Sequence, residues 1–81
     1  MEKKLHIRIK EFSEIKEFAK DVTSFESDID ICKGSVEYDA KSIMAIIALG
    51  NLDDIYVVIK SDNEDEIKWF NHVMDKYVIK E

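Results

Sequence analysis

Few side chains in this sequence carry nucleophilic, acid–base or metal-ligating chemistry, and their spacing limits what they can do. The two histidines, His6 and His72, lie near opposite ends of the chain. The single cysteine, Cys32, rules out an internal disulfide framework and a cysteine zinc cluster, and it suits a reducing compartment. Its one adjacent cation, Lys33, is too little to promise a reactive thiolate. Glu11, Glu14 and Glu17 crowd a short segment and would repel an incoming anion. A second acidic run, Asp62 to Glu66, lacks the spacing of a cation-binding loop and reads instead as the start of a helix. Ser42 stands immediately before the apolar run Ile43-Met44-Ala45-Ile46-Ile47, where a hydroxyl can cap a helix. No metal-ligand constellation is present, and no cofactor is expected.

The chain that must position these groups has 81 residues, which favours one domain over residues 1–81. Hydrophobic residues make up 46% and charged residues 37%, the balance of a folded globular domain rather than a disordered one. Eighteen acidic against twelve basic residues give a net charge of −6, and the only arginine is Arg8. That balance argues against direct binding to nucleic acid or an anionic membrane, which call for a basic face. The charged start Met1-Glu2-Lys3-Lys4 is followed by no long apolar segment, so no signal peptide is visible. The longest apolar stretch, residues 43–49, is far short of a membrane span. The expectation is a soluble cytoplasmic domain. Proline is absent throughout.

Leu5, Ile7 and Ile9 alternate with His6, Arg8 and Lys10, the period of a half-buried strand. Ile15, Phe18, Ala19 and Val22 recur at helical spacing with Phe25 closing the stripe, which predicts a helix over residues 13–24 capped by Ser13. Ile29 and Ile31, then Val36 and Tyr38, alternate on either side of Lys33-Gly34 and predict a hairpin. Ser42 to Gly50 reads as a short buried helix, and Ile55 to Lys60 as a strand. Asn63 and Glu66 stand at capping-box spacing before a stripe of Ile67, Phe70, Val73, Met74, Tyr77 and Val78, from which Trp69 departs. The order is βαββαβα, an α+β arrangement of one antiparallel sheet with helices on one face. His6, Arg8 and Cys32 would share the helix-free face with Tyr56 and Val58.

Order alone carries no function. The run Ser24-Phe25-Glu26-Ser27-Asp28-Ile29 and the stretch from Gly34 to Gly50, with Lys41-Ser42-Ile43-Met44 inside it and Leu49-Gly50 at its end, are more specific. They closely resemble the phosphocarrier HPr of the bacterial phosphotransferase sugar-uptake system and its regulatory relative Crh, and the resemblance extends over residues 24–78. It implies an HPr-like open-faced sandwich with strand order 1-4-2-3 and three helices on one face. It also implies a phosphoryl-carrying histidine in a Gly-(Ile/Leu)-His-Ala-Arg-Pro-Ala motif at the first helix. Here that segment reads Ile9-Lys10-Glu11-Phe12-Ser13-Glu14-Ile15-Lys16, with Glu11 at the histidine position, Ser13 at the arginine position and Glu14 at the proline position. With no proline and one arginine, no His-x-Arg-Pro loop exists in any alignment. The expectation is therefore a non-enzymatic chain without carrier activity through histidine.

The resemblance assigns a regulatory serine to Ser42, phosphorylated in the Gram-positive branch by an HPr kinase and then read by a transcriptional regulator. Physically, a serine N-cap holds its hydroxyl beside unpaired amides, so a phosphate is favoured there. Lys41 adds a cation, and Ile43, Met44 and Ile47 form a candidate apolar docking rim. The plainer alternatives are an N-cap serine worth about 1 kcal/mol and apolar residues that belong to the core. Glu11 reads as a solvated carboxylate rather than a phosphate mimic. Two other functions stay open: a phosphocarrier using a non-standard acceptor such as His6 or Glu11, and an orphan interaction domain, including a homodimer.

Overall fold

The structure is a computed structural model in which residues 4–80 are described; residues 1–3, on which the absence of a leader was partly read, and Glu81 lie outside them. The elements run β1 (Leu5–Ile7), α1 (Phe12–Thr23), β2 (Ile29–Lys33), β3 (Val36–Asp39), α2 (Ile43–Ala48), β4 (Ile55–Ile59) and α3 (Glu64–Met74). The four strands form one antiparallel sheet in the order β1-β4-β2-β3, as the resemblance implied.

Register determines the two faces. Leu5 pairs with Val57, Val57 with Ile31, and Ile31 with Tyr38, so these four form one cross-strand row. Ile29 opposite Ile59 and Ile7 opposite Ile55 extend the same face. Ile7, Ile29, Ile31, Ile55 and Val57 are completely buried there against Phe18, Val22, Ile46, Phe70 and Met74 of the helices. Burying each such side chain is worth about 1.5–3 kcal/mol. The aromatic contacts Phe18–Tyr77 and Phe25–Phe70 meet edge to face at 5.4 and 5.5 Å, the geometry that ring quadrupoles favour. His6, Tyr56, Cys32 and Glu37 form the corresponding row on the other face, as the alternation predicted.

Two glycines make the tight reversals. Lys33 pairs with Val36, so Gly34 and Ser35 are the whole hairpin loop. Gly34 has φ +61° while no residue other than glycine has positive φ among the described residues. A positive φ confined to the first loop position is the pattern of a type II′ turn, whose twist suits the flanking strands. Gly50, at φ +75°, ends α2 just beyond Leu49. Lys33 Nζ donates to the Leu49 carbonyl at 2.7 Å, tying that helix end back to the hairpin.

Several element boundaries differ from the sequence-based expectation. Helix α1 begins at Phe12, and its N-cap is Glu11, two residues before the expected Ser13 cap. β1 ends at Ile7, yet Ile9 remains in the core, with its N–H bonding the Leu52 carbonyl at 3.0 Å. β3 is exposed at all four residues because it is a free sheet edge. Helix α3 stops at Met74, and Tyr77 and Val78 reach the core from outside it. The Tyr77 carbonyl accepts from Arg8 N–H at 2.9 Å, and Ile79 N–H donates to the His6 carbonyl at 3.0 Å. The outer edge of β1 thus gains backbone partners that a continued helix would have left it without.

The capping pattern at α3 is also only half of the expected box. The Asn63 side chain accepts from the N–H groups of Asp65 and Glu66 at 2.9 and 3.2 Å. Glu66 does not reach back to Asn63, whose N–H bonds Ser61 Oγ instead. The Glu66 carboxylate accepts from the Ser27 hydroxyl and, at 3.3 Å, from Ser27 N–H, joining α3 to the loop before β2. Hydrogen bonds from Ser27 hold the Glu66 carboxyl below its ordinary value of 4.5. A carboxyl so depressed adds stability that is present above the ordinary value and is lost as pH falls through the depressed one. Thermal melts across acidic pH should therefore show a steeper loss for the wild-type chain than for Glu66→Gln below about pH 4.5. Identical slopes would remove Glu66 from the acid response.

Candidate functional site

Helix α2 is six residues long and rests on the core through Ile46 alone among its fully buried side chains. Its remaining apolar residues are displayed: Met44 is 73% exposed, Ile47 44% and Ile43 37%. The alternative in which Ile43 and Ile47 are core is thus incorrect, because one short helix over a single sheet face can bury only one stripe. Half-buried Ser42 begins this display, and its Oγ accepts from Ala45 N–H at 3.3 Å, as expected for an N-cap. Lys41, expected as a neighbouring cation for a phosphate, is committed elsewhere. Its ammonium donates to the Phe25 carbonyl at 2.7 Å, bracing the loop after α1.

The start of α1 is organised around carboxylates. Glu11 is exposed and caps the helix. The Glu14 carboxylate turns back and accepts from the N–H groups of Lys10 and Glu11 at 3.0 and 3.1 Å. This is the reach-back half of a capping box, and it occupies amides that would otherwise face an anion. Phe12, 57% exposed, projects beside them with Lys16 Nζ 5.5 Å from its ring centre. The Glu11/Glu14 spacing was visible in the sequence, but the better intrinsic capping of Ser13 concealed it.

Neither histidine stands at this helix start. His6 lies on the helix-free sheet face, stacked on Tyr56 at 4.5 Å, with Nε2 paired to Asp54. No local pattern links those two residues, since the β1–β4 pairing alone brings them together. His72 stacks on Trp69, which lies off the apolar stripe of α3 and is 56% exposed. Cys32 is buried, and burial followed by the nearby Glu37 pushes its thiol up, away from thiolate character. Among the described residues no group of His, Cys, Asp and Glu is arranged to hold a metal, and no helix is long and apolar enough to cross a membrane.

A four-stranded antiparallel sheet with this strand order and three helices on one face defines an open-faced sandwich of the α+β class. The family described as the PTS HPr component phosphorylation site matches residues 3–76, and the chain belongs to that family. A similar curated protein is the phosphocarrier protein HPr of Buchnera aphidicola subsp. Schizaphis graminum (strain Sg), 35% identical over 57 residues, which span 70% of this chain and 67% of that protein. Among solved structures, HPr-C-His from Thermoanaerobacter tengcongensis superposes with a TM-score of 0.71 at 24% identity, covering 94% of this chain and 92% of that one. The phosphocarrier protein HPr from Bacillus anthracis str. Ames gives 0.66 at 25% identity, covering 90% and 94%.

The Ser42 cap has a measurable worth apart from any modification. Ser42→Ala should lower stability by about 1 kcal/mol, and hence Tm by roughly 4–8 °C in a domain of this size, read by denaturant and thermal unfolding. An unchanged Tm would show that the Oγ hydrogen bond adds nothing.

Proposed function

We propose that this HPr-family chain is a non-catalytic, Crh-like regulatory or interaction protein in which phosphorylation of Ser42 controls docking to a protein partner. The observation that carries this reading is the apolar display of Ile43, Met44 and Ile47 around the half-buried Ser42 hydroxyl. A phosphate on Ser42 would bring about −1.5 to −2 charges to the edge of that display. Its oxygens would take over the Ala45 amide, and Lys41 would have to leave the Phe25 carbonyl to offset the charge. The switch would therefore alter both the charge of the surface and the bracing of the loop after α1. An HPr kinase and a transcriptional regulator are the proposed partners, with Lys41, Ile43, Met44 and Ile47 at the contact.

Loss of carrier activity through histidine belongs to the same reading. Glu11 stands at the family's histidine position, Ser13 at its arginine and Glu14 at its proline, and Glu14 already occupies the local amides. Incubation with an HPr kinase and ATP should add a single phosphate at Ser42, located by mass analysis and abolished in Ser42→Ala. A chain that stays unmodified, or is modified elsewhere, overturns the switch.

One observation favours a second reading, a phosphocarrier with a non-standard acceptor. The Asp54 carboxylate on His6 Nε2 leaves Nδ1 as a candidate nucleophile on a ring whose side chain is 35% exposed. Under this reading, enzyme I and phosphoenolpyruvate would label the chain in an acid-labile form that His6→Gln removes. We expect no such label, and its appearance would replace the first reading with the second.

A further inference from the structure

The sheet has two edges, and the chain covers one of them. Along β1, Arg8 N–H bonds the Tyr77 carbonyl and Ile79 N–H the His6 carbonyl, so residues 77–79 pair with its outer side. Among the described residues no segment runs along the outer side of β3, and all four of its residues are exposed. Hairpin register sets which backbone groups that leaves bare. The Gly34-Ser35 loop makes Lys33 and Val36 a hydrogen-bonded pair, and pair types alternate along an antiparallel ladder. Ile31 and Tyr38 are therefore the next bonded pair, and the series continues with Ala40 N–H on the Ile29 carbonyl at 2.8 Å. Glu37 and Asp39 fall at the intervening positions, opposite Cys32 and Asp30, so their backbone groups point outward. Ser42 N–H takes the Asp39 carbonyl at 3.1 Å, which leaves Glu37 N–H, Glu37 C=O and Asp39 N–H without protein partners.

Side chains along this edge are sorted by face. Val36 and Tyr38 share the helix-covered side with Ile31, yet they stay 45% and 37% exposed and lie outside the core. Glu37 and Asp39 lie on the open side with Cys32 and Asp30. Asp39 turns one carboxylate oxygen to the Lys41 N–H at 2.9 Å, whereas the Glu37 carboxylate makes no hydrogen bond or ion pair among the described residues. A second copy of the chain is a poor occupant for such an edge. Antiparallel pairing of two β3 strands through their outward groups sets the acids Glu37 and Asp39 directly against one another, which is unfavourable, in a chain of net charge −6. The same acids attract a strand of opposite charge.

We propose that the β3 edge accepts, as an added strand, an extended segment of a partner protein in which basic residues alternate with apolar ones. The outward groups of Glu37 and Asp39 would supply the ladder hydrogen bonds. Basic side chains on the open side would meet the two carboxylates, and apolar ones on the other side would cover Val36 and Tyr38. A slip of one residue would set the basic side chains on Val36 and Tyr38, so the alternation selects the register. The proposal concerns the unmodified chain and does not rest on phosphorylation of Ser42.

Titration of the full chain with the peptide acetyl-Lys-Val-Lys-Val-Lys-Val-amide, and in parallel with acetyl-Glu-Val-Glu-Val-Glu-Val-amide at matched ionic strength, tests it by amide chemical shifts and hydrogen exchange. The lysine peptide should give saturable shifts centred on residues 35–39 and slow the exchange of the Glu37 and Asp39 amides, while the glutamate peptide does neither. Glu37→Pro removes an outward N–H but none of the bonds that Val36 and Tyr38 make to β2, as proline is tolerated at a sheet edge. It should abolish saturation while the shifts of β2, β4 and the helices stay in place. Glu37→Lys keeps every backbone group, and it should weaken the lysine peptide about tenfold and admit the glutamate peptide. Equal affinity for the two peptides, saturation at another surface, or undiminished binding in Glu37→Lys overturns the proposal. Edge shifts that grow with chain concentration in the absence of peptide would assign the edge to a second copy and overturn it as well.

Discussion

The pairing of β2 with β4 is the constraint on which the other elements depend. Ile29 opposite Ile59 and Ile31 opposite Val57 put the two central strands' branched side chains on one face. A slip of one residue would turn that whole set away from the helices, so the register is held by the full cost of exposing it. Once it is in place, the II′ turn lays β3 against β2 and leaves β3 as an edge, while β1 can join only beside β4. All three helices then compete for a single apolar face. Helix α1 and helix α3 fill it with Phe18, Val22, Phe70 and Met74. The short α2 is left to contribute Ile46 and to display its other apolar side chains.

That crowding explains why α2 displays Ile43, Met44 and Ile47 beside Ser42, whereas the start of α1 is closed by its own carboxylates. At α2, the exposed side chains of Ile43, Met44 and Ile47 follow a hydroxyl that accepts from the Ala45 N–H. At α1, the local donors are already satisfied from within by Glu14, and the exposed carboxylate of Glu11 adds negative charge.

The C-terminal segment is fastened to both α1 and β1. Tyr77 is buried and its hydroxyl donates to Asp21 at 2.8 Å, with burial and that carboxylate both raising its pKa well above the ordinary range. Lys76 bridges Glu17 and Asp21 beside it, and these hydrogen bonds raise its own pKa. This ladder between α1 and residues 76–77 anchors the segment, and the backbone bonds to β1 carry it onward past Arg8. Residues from both ends of the chain, Arg8 and Lys10 with Lys76 and Lys80, thereby line one side of the molecule together.

Period and composition by themselves determined much of the molecule. The alternation of Ile29, Ile31, Val57 and Ile59, the glycine at position 34 and the stripes of α1 and α3 are local patterns that admit one economical packing. The lack of any His-x-Arg-Pro loop is a matter of composition alone. The N-cap role of Ser42 was equally legible, because a cap and its amide lie three residues apart. Tertiary structure alone decided which apolar residues of α2 are covered, since that depends on how much of the sheet α1 and α3 leave free. It alone took Lys41 to the Phe25 carbonyl, His6 to Asp54 and Glu66 to Ser27. It also ended α3 at Met74, because the unpaired edge of β1 offered the following residues hydrogen bonds that helical propensity does not register. Short-range spacing encodes caps, turns and faces; the partner of a charged side chain is set by whichever distant segment the packed core brings within reach.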